Sequence, residues 1–130
     1  MILGIGTDIV GVARMRAVLA RHGERFARRI LAAAEFEEYL ADKRPAYFLA
    51  KHFAAKEALV KALGTGFRDG IRLSDIRVTH DHLGKPGLRY DGNTAALLRQ
   101  MGISCSHISL ADEHDYAVAF VILEAGGSKA

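Results

Sequence analysis

Apolar residues recur along the first half of the chain at the spacing expected for one strand followed by helices. The run from Ile2 to Val10 is apolar and β-branched, which predicts a strand, and Gly4 and Gly6 within it allow close approach of another backbone. Beyond it, apolar residues return every three or four positions, the period of an amphipathic helix. This period predicts four helical segments: 12–21, 25–31 (a basic turn or short helix), 34–41 and 45–63.

The longest of these segments has clear signals at both ends. Pro45 suits the first turn of a helix, and Gly64 supplies a left-handed cap after Leu63. Lys56 projects into the apolar arc of this helix. We therefore expect Lys56 to have an anionic partner, because a lysine that loses water must pair or extend its amine to solvent.

The second half of the chain changes to a strand pattern. Apolar residues after Gly70 predict a strand over 71–78, and Leu88-Arg89-Tyr90 can return as its hairpin partner. Asn93 or Thr94 is expected to cap a helix that Gly102 ends. Two final strands are predicted over 103–110 and 116–123. The fold class is α+β, a mainly antiparallel sheet packed on a long central helix with shorter helices. We expect a single domain over 1–125 and a flexible tail over 126–130.

Composition places the chain among ordinary globular proteins. It has 130 residues, of which 50% are hydrophobic and 25% charged. No apolar run approaches the roughly 20 residues that span a bilayer, and the N-terminus lacks the basic leader of a signal peptide. The single cysteine, Cys105, fits a reducing compartment and is interpreted as a small buried hydrophobe. These features favour a cytoplasmic location with no membrane partner.

The positive charge is concentrated near the N-terminus. Six arginines and only one acid, Glu24, lie between positions 11 and 34. Arginine favours forked hydrogen bonds to carboxylate or phosphate, so the excess suggests an acidic partner. A solvated helix face is the alternative. A basic module for RNA is a further hypothesis, but aromatic residues do not alternate with these arginines and no RNA-binding motif is present.

Several familiar chemistries are excluded by pattern. The chain has no zinc-ligand spacing, no phosphate-binding loop of the Gly-x-x-x-x-Gly-Lys type and no Gly-x-Ser-x-Gly nucleophile. The carboxylates of Asp8 and Glu57 remain as candidates for Mg²⁺, which takes one or two carboxylates and leaves room for phosphate and water. Lys61 and the amides of 64–66 would complete a phosphate site. Two simpler interpretations stay open: Asp8 as a helix N-cap, and Glu57 with Lys61 as a surface ion pair.

Two separated motifs give the chain a family resemblance. Gly6-Thr7-Asp8 matches a Gly-x-Asp pattern, and the helix carries Phe53-Ala54-Ala55-Lys56-Glu57-Ala58-Leu59-Val60-Lys61. Further matches are Lys61-Ala62-Leu63-Gly64-Thr65-Gly66, Leu83-Gly84-Lys85-Pro86, and His107-Ile108-Ser109-Leu110 before Tyr116-Ala117. In this order and over nearly the whole chain, they resemble the 4′-phosphopantetheinyl transferases, in the small single-domain group of holo-[acyl-carrier-protein] synthases.

The resemblance implies a reaction and a catalytic set. Phosphopantetheine would move from coenzyme A to a serine of apo acyl carrier protein, releasing adenosine 3′,5′-bisphosphate, in support of fatty acid biosynthesis. Asp8 and Glu57 would bind Mg²⁺ with the coenzyme A diphosphate, and Lys61 would neutralise the attacked phosphate. The base would be Glu57 or a water at the metal site. His107 is another candidate for base or ligand contact, or else a hydrogen-bonded core histidine.

The resemblance also implies binding surfaces. The predicted coenzyme A contacts are Lys43 and Arg44 for the 3′-phosphate, then His52, Lys61, Gly64, Thr65, Gly66, Lys85 and Pro86. The predicted docking surface for the carrier protein is Arg14, Arg21 and Arg25 with Phe26 as apolar anchor. A homotrimer with shared active sites is expected, and intact Asp8, Glu57 and Lys61 argue against an inactive scaffold. Two positions depart from the pattern: His52 where arginine is common, and Gly11 where an acidic or polar residue is usual.

Overall fold

The structure is a computed structural model that describes residues 1–67 and 70–126. The helices are α1 (Val12–His22), α2 (Glu24–Ile30), α3 (Ala33–Ala41), α4 (Pro45–Leu63) and α5 (Gly92–Gln100). The strands are β1 (Ile2–Gly11), β2 (Ile76–His80), β3 (Pro86–Tyr90), β4 (Ile103–Asp112) and β5 (Tyr116–Ala125). None of the helices in these ranges is long and apolar enough to cross a membrane. Residues 127–130, and with them most of the predicted tail, lie outside the described residues.

Two antiparallel sheets build the β part of the fold. β1, β5 and β4 form a three-stranded sheet in that order, and β2 pairs with β3 as a hairpin. The long helix α4 lies across β1 and β5. The predicted α+β fold, with an antiparallel sheet on a long central helix, is therefore confirmed.

Two glycines of β1 set the distance between the sheet and α4. A Cβ added at Gly4 would lie 2.0 Å from the carbonyl oxygen of Ala62, and one at Gly6 would lie 2.0 Å from that of Ala58. No side chain fits in that space, so the backbones of β1 and α4 are in direct contact. The close approach predicted for these glycines is confirmed.

Two local boundaries differ from the prediction. The segment before β2 is not a strand from Ile71 onward, because a short 3₁₀ turn, Leu73–Asp75, comes first. Helix α5 has Asp91 as its N-cap residue instead of Asn93 or Thr94. Thr94 is buried instead, and its hydroxyl donates to Asp75 Oδ2 at 3.2 Å. Its polar group thus ties α5 to the 3₁₀ turn, a contact that capping rules do not consider.

A buried ion pair lies at the centre of the fold. Lys56 is 0% exposed, and its Nζ donates to Glu35 Oε1 at 2.5 Å. The same amine donates to the carbonyl oxygens of Ile30, at 2.5 Å, and Leu73, at 3.1 Å. Burial lowers the pKa of Lys56, and the charge of Glu35 opposes that shift. The anionic partner expected for Lys56 is confirmed, and it is Glu35.

Glu35 joins this pair to two other elements. Its Oε1 accepts the N–H of Ala32 at 2.8 Å, and its Oε2 accepts the N–H of Val78 at 2.8 Å. One carboxylate therefore connects the start of α3, the middle of α4 and strand β2. Both oxygens have donors, which is the condition for tolerating a buried charge.

Candidate active site

Strand β1 brings Asp8 to the side of α4 where Lys61 lies. Lys61 Nζ donates to Asp8 Oδ1 at 2.9 Å and to the carbonyl oxygen of Thr7 at 3.1 Å. Asp8 is not a helix cap, because the N-cap of α1 is Gly11 and no side chain caps that helix. The carboxylate is thus held at the surface by a lysine 53 residues away in sequence.

Glu57 stands one turn before Lys61 on α4. Partial burial raises the pKa of the Glu57 carboxyl, and the nearby Asp8 carboxylate raises it further, against the opposing charges of Lys61 and Arg14. Among the residues that the structure describes, Lys61 forms its ion pair with Asp8, and no carboxylate oxygen of Glu57 lies within 4 Å of the Lys61 amine. The simple surface pair between Glu57 and Lys61 is therefore the wrong interpretation. The two carboxylates and Lys61 form one cluster.

This cluster suits a hard divalent cation. The repulsion between Asp8 and Glu57 is what a cation between them would relieve, and carboxylate oxygens are preferred ligands of Mg²⁺. Two carboxylates leave coordination positions for water and phosphate oxygens. Lys61 is half-exposed and can release Asp8 to contact an anion instead. The residues present fit a metal–diphosphate site.

The loop after α4 lies at the same end of the helix as this cluster. Gly64 adopts the left-handed conformation with φ of +76°, as predicted for a C-cap. Its N–H is used by that cap, since it donates to the carbonyl oxygens of Val60 and Lys61. Phosphate contacts from this loop would therefore come from Thr65 and Gly66 and not from the Gly64 amide.

The other predicted coenzyme A contacts lie at distant places. Lys43 and Arg44 precede the N-terminus of α4, while Lys61 is near its C-terminus, about 24 Å away along the axis. The Arg44 guanidinium stacks 3.8 Å over the ring of Tyr47, beside a cleft of about 400 Å³. Lys85 and Pro86 line another cleft, of about 510 Å³, on the β2–β3 hairpin. Within one chain, Lys43 and Arg44 therefore lie far from Lys61.

His52 occupies a position that does not fit a phosphate contact. It is only 6% exposed, its ring stacks on Phe48, and its Nδ1 lies 2.8 Å from the carbonyl oxygen of Phe48. Its Nε2 is buried 3.7 Å from Glu35 Oε2. Burial lowers the pKa of His52, so the ring is neutral near pH 7. Packing beside the Lys56–Glu35 pair explains this histidine.

His107 and Cys105 are also placed differently from the sequence hypotheses. His107 lies on β4, half-exposed, with its Nε2 2.5 Å from Glu124 Oε1. It is therefore not a core histidine, and its bond to Glu124 is remote from Asp8 in the sheet. Cys105 is exposed beside it, so the interpretation as a buried hydrophobe is wrong. Alternation along an edge strand puts both side chains on the face that α4 does not cover.

The arginines of α1 and α2 are solvent-exposed and largely unneutralised. Arg14, Arg21 and Arg25 all project outward. Of the six arginines between positions 11 and 34, Arg28 is the one that forms an ion pair in the part of the chain that the structure describes, with Glu24 at 4.0 Å. The Arg14 guanidinium lies 5.6 Å from the ring of Phe53.

An apolar cleft adjoins these arginines. The rings of Phe26 and Phe53 are 5.9 Å apart, and with Phe67 they line a cleft of about 640 Å³. The sequence hypothesis included Phe26 but missed Phe53 and Phe67 as part of this surface. A signal was available, because Phe53 stands at the edge of the apolar arc of α4, within the motif that carries Glu57. Arg14 contributes to the electrostatics of Glu57, so the arginine surface borders the carboxylate cluster.

Comparison with known proteins agrees with this geometry. Residues 4–121 match the family model of the 4′-phosphopantetheinyl transferase superfamily. The holo-[acyl-carrier-protein] synthase of Nitrosococcus oceani is 57% identical over 123 residues, which cover 95% of this chain and 80% of that protein.

Solved structures give the same result. The synthase of Neisseria meningitidis superposes with a TM-score of 0.91 at 44% identity, covering 95% of this chain and 99% of that one. A holo-(acyl-carrier-protein) synthase from Bacillus anthracis, in complex with CoA (3′,5′-ADP), has a TM-score of 0.80 at 35% identity and covers 97% and 99% of the two chains.

A small α+β fold in which a strand carboxylate meets a Lys-Glu-Ala-x-x-x-Lys helix defines a class of group-transfer enzyme. The chain belongs to the 4′-phosphopantetheinyl transferase superfamily and, within it, to the holo-[acyl-carrier-protein] synthases.

Proposed function

We propose that this protein catalyses the Mg²⁺-dependent transfer of 4′-phosphopantetheine from coenzyme A to a serine of apo acyl carrier protein, in the cytoplasm and in support of fatty acid biosynthesis. The observation that carries the proposal is the cluster of Asp8, Glu57 and Lys61 on the fold of this family. The Bacillus anthracis relative solved with CoA (3′,5′-ADP) supports coenzyme A as the donor.

In this proposal each group of the cluster has a role in phosphoryl transfer. Asp8 and Glu57 would hold Mg²⁺, which supplies charge neutralisation to the diphosphate when bound. Lys61 exchanges its contact with Asp8 for a phosphate oxygen and neutralises charge at the attacked phosphorus. The serine oxygen forms the new P–O bond as the bond to the adenosine 3′,5′-bisphosphate oxygen breaks.

The serine proton needs an acceptor. Glu57 or a water at the cation site is the proposed base. Within one chain His107 lies apart from this cluster, with its imidazole bonded to Glu124 on the sheet face away from α4, so the proposed substrate contact of His107 would be made across a subunit interface.

The distances along α4 support an active site shared between subunits. Lys43 and Arg44 precede Pro45, and Glu57 lies 12 residues further on, about 18 Å along the axis. In the proposed assembly, coenzyme A would bind with its 3′-phosphate at Lys43 and Arg44 of one chain and its diphosphate at the carboxylate cluster of a neighbouring chain. We propose a homotrimer in which each site combines the two surfaces.

The uncovered face of the sheet supports such an assembly. Ile5 and Ile9 of β1 are each 61% exposed, and on β5 the exposed Val118 pairs with Ile9 while the exposed Phe120 pairs with Thr7, between the two isoleucines. Exposed apolar side chains on adjoining strands are typical of a protein–protein interface. Light scattering on wild type and Phe120→Lys tests this: we expect a trimer that the charged variant dissociates. A monomeric wild-type protein would overturn the assembly.

The arginine surface supports an acidic protein partner. Arg14, Arg21 and Arg25 are exposed on α1 and α2, and Phe26 of α2 lines a cleft to which Arg28 and Arg29 also contribute. Phe26 thus gives an apolar anchor beside positive charge. Rim charges of this kind mainly set the association rate and its salt dependence. An apo acyl carrier protein with an acidic helix beside its serine fits this surface.

The decisive experiment is a mass-shift assay. Protein, Mg²⁺ and coenzyme A are incubated with apo acyl carrier protein, and the carrier should gain the mass of one phosphopantetheine. Asp8→Ala and Glu57→Ala should remove the activity while circular dichroism shows a folded chain, and Glu38→Ala, an exposed carboxylate on α3, serves as the matched control. Unmodified carrier in the wild-type reaction, with several carriers tried, would overturn the proposal.

Docking has its own test. Arg25→Glu should raise the KM for the carrier and leave the KM for coenzyme A nearly unchanged. Arg99→Glu changes the net charge equally on the distant helix α5 and should have little effect. A comparable rise for both variants would show that net charge, and not this surface, determines carrier binding.

A further inference from the structure

We propose that Lys56 is a positioning residue for the transfer reaction, because it holds in place the cleft that receives the carrier protein. This docking cleft is the apolar cleft of about 640 Å³ that Phe26, Phe53 and Phe67 line. The inference rests on the proposed function, since it takes an acyl carrier protein as the occupant of the cleft.

The ammonium group of Lys56 has three N–H donors, and each of them has an acceptor. It donates to Glu35 Oε1 at 2.5 Å and to the carbonyl oxygens of Ile30, at 2.5 Å, and Leu73, at 3.1 Å. The side chain is also 0% exposed. An amine with no free donor and no exposed surface cannot contact a substrate, so Lys56 acts through the residues that it holds.

Two of the three acceptors belong to the lining of the docking cleft. Ile30 is the last residue of α2 and Leu73 is the first residue of the 3₁₀ turn, and both line the cleft. Helical segments of seven and three residues are marginal on their own, so their positions depend on contacts with the rest of the fold. One ammonium group bonded to the backbone of both segments fixes the distance between them.

The same turn of α4 connects the docking cleft to the carboxylate cluster. Phe53 and Glu57 are four residues apart on this helix, so they lie on one side of it with their Cβ atoms about 6 Å apart. Lys56 lies between them in sequence and holds α2 and the 3₁₀ turn against the helix. A carrier serine presented from a loosened cleft would be displaced from the attacked phosphorus, and a displacement of about 1 Å can lower a rate by about 10²-fold.

A role in stability alone does not account for a lysine at this position. Apolar residues of similar volume often replace a buried ion pair without loss of stability. An apolar residue could not donate to the carbonyl oxygens of Ile30 and Leu73, which is what Lys56 adds. The variant Lys56→Met with Glu35→Gln removes both charges together, so it loses the two backbone contacts without leaving a buried charge unpaired.

Steady-state kinetics with apo acyl carrier protein and coenzyme A test this role. We expect the double variant to lower kcat/KM for the carrier at least about tenfold and to leave the KM for coenzyme A nearly unchanged. Leu123→Ala is the matched control, because it opens a cavity in the core at a buried residue of β5 that does not line the docking cleft. An unchanged kcat/KM in the double variant, or an equal loss in Leu123→Ala, would overturn the proposal.

Amide hydrogen exchange distinguishes a failure of this inference from a failure of the proposed function, because it needs neither substrate. In the double variant, exchange should accelerate selectively in residues 26–31 and 73–76, whereas Leu123→Ala should show no such selectivity. A wild-type protein that modifies no carrier would overturn the proposed function and the carrier as occupant. The exchange result would still decide whether Lys56 holds the cleft, and unselective exchange would show that it does not.

A measurement on the wild-type protein decides the case in which the double variant does not fold. Nitrogen NMR of the lysine side chains should show one ammonium group protected from exchange with water, because Lys56 is buried and uses all three donors. Saturating apo carrier protein should shift this signal, since the acceptor residue Ile30 lines the docking cleft. Absence of a protected signal, or a signal that the carrier leaves unmoved, would overturn the proposal.

Discussion

The buried pair of Lys56 and Glu35 makes a quantitative prediction about stability. Lys56→Met leaves the Glu35 carboxylate buried with only the N–H groups of Ala32 and Val78 as donors. Glu35→Gln leaves the Lys56 ammonium buried against two carbonyl oxygens and a neutral amide. Breaking a buried pair by removing one partner costs about 3–5 kcal/mol, because the remaining charge is uncompensated.

The double variant distinguishes the pair from its surroundings. Lys56→Met with Glu35→Gln removes both charges, so its cost should be well below the sum of the single variants, with a coupling energy of about 2 kcal/mol or more. Each single variant should lower Tm by roughly 10–20 °C for a chain of this size. The shifts arise from electrostatics in the core, where burial already lowers the pKa of Lys56.

Urea unfolding followed by circular dichroism measures these free energies. All variants are compared at one protein concentration, because assembly contributes to apparent stability. Lys51→Met makes the same substitution on the same helix at a partly exposed position and should change stability by no more than about 0.5 kcal/mol. Single variants within 1 kcal/mol of wild type, or costs that simply add, would refute the idea that this pair holds the core together.

Three further predictions follow from other parts of the molecule. Because the pKa of Glu57 is raised, protons compete with the cation for its carboxylate. At limiting Mg²⁺ the transfer rate should therefore rise with pH through that pKa, and a higher Mg²⁺ concentration should move the rise to lower pH. A rise whose position does not depend on the Mg²⁺ concentration would contradict this. The pKa of His52 is lowered in the folded chain, so as pH falls below the ordinary value of 6.5 the unfolded chain takes up a proton first. The free energy of unfolding should therefore decrease below pH 6.5, by up to about 1.4 kcal/mol per pH unit. Urea titrations of His52→Gln should lack that part of the slope. Gly6→Ala should lower the free energy of unfolding in urea by more than about 3 kcal/mol, because the new Cβ would lie 2.0 Å from the carbonyl oxygen of Ala58. In the control Gly11→Ala the nearest atom to the new Cβ is 3.9 Å away, so that variant should be nearly neutral. Equal costs for the two variants would show that the contact between β1 and α4 relaxes.

The sequence alone was sufficient where the determining interactions are local. Helix α4 begins at Pro45 and ends before Gly64 as predicted, because proline and glycine impose their backbone preferences on their own position. The same holds for Gly4 and Gly6 as sites of close approach. The motif residues identify the family, because their order along the chain is itself the signal.

Only the tertiary structure decided which groups meet. Asp8 and Lys61 are 53 residues apart, and Lys56 and Glu35 are 21 apart, so no helical or strand period relates them. The packing of β1 against α4 and of α3 beside α4 brings these charges together. Sequence reasoning could state that Lys56 needs an anion, but not which of several glutamates would be near enough.

Burial is the other property that the structure alone could assign. His52 was expected at a phosphate and lies in the core, while Cys105 was expected in the core and lies exposed. The reason is physical: side chains alternate along a strand and rotate around a helix by local rules, but whether a given face meets protein or water depends on the elements packed over it.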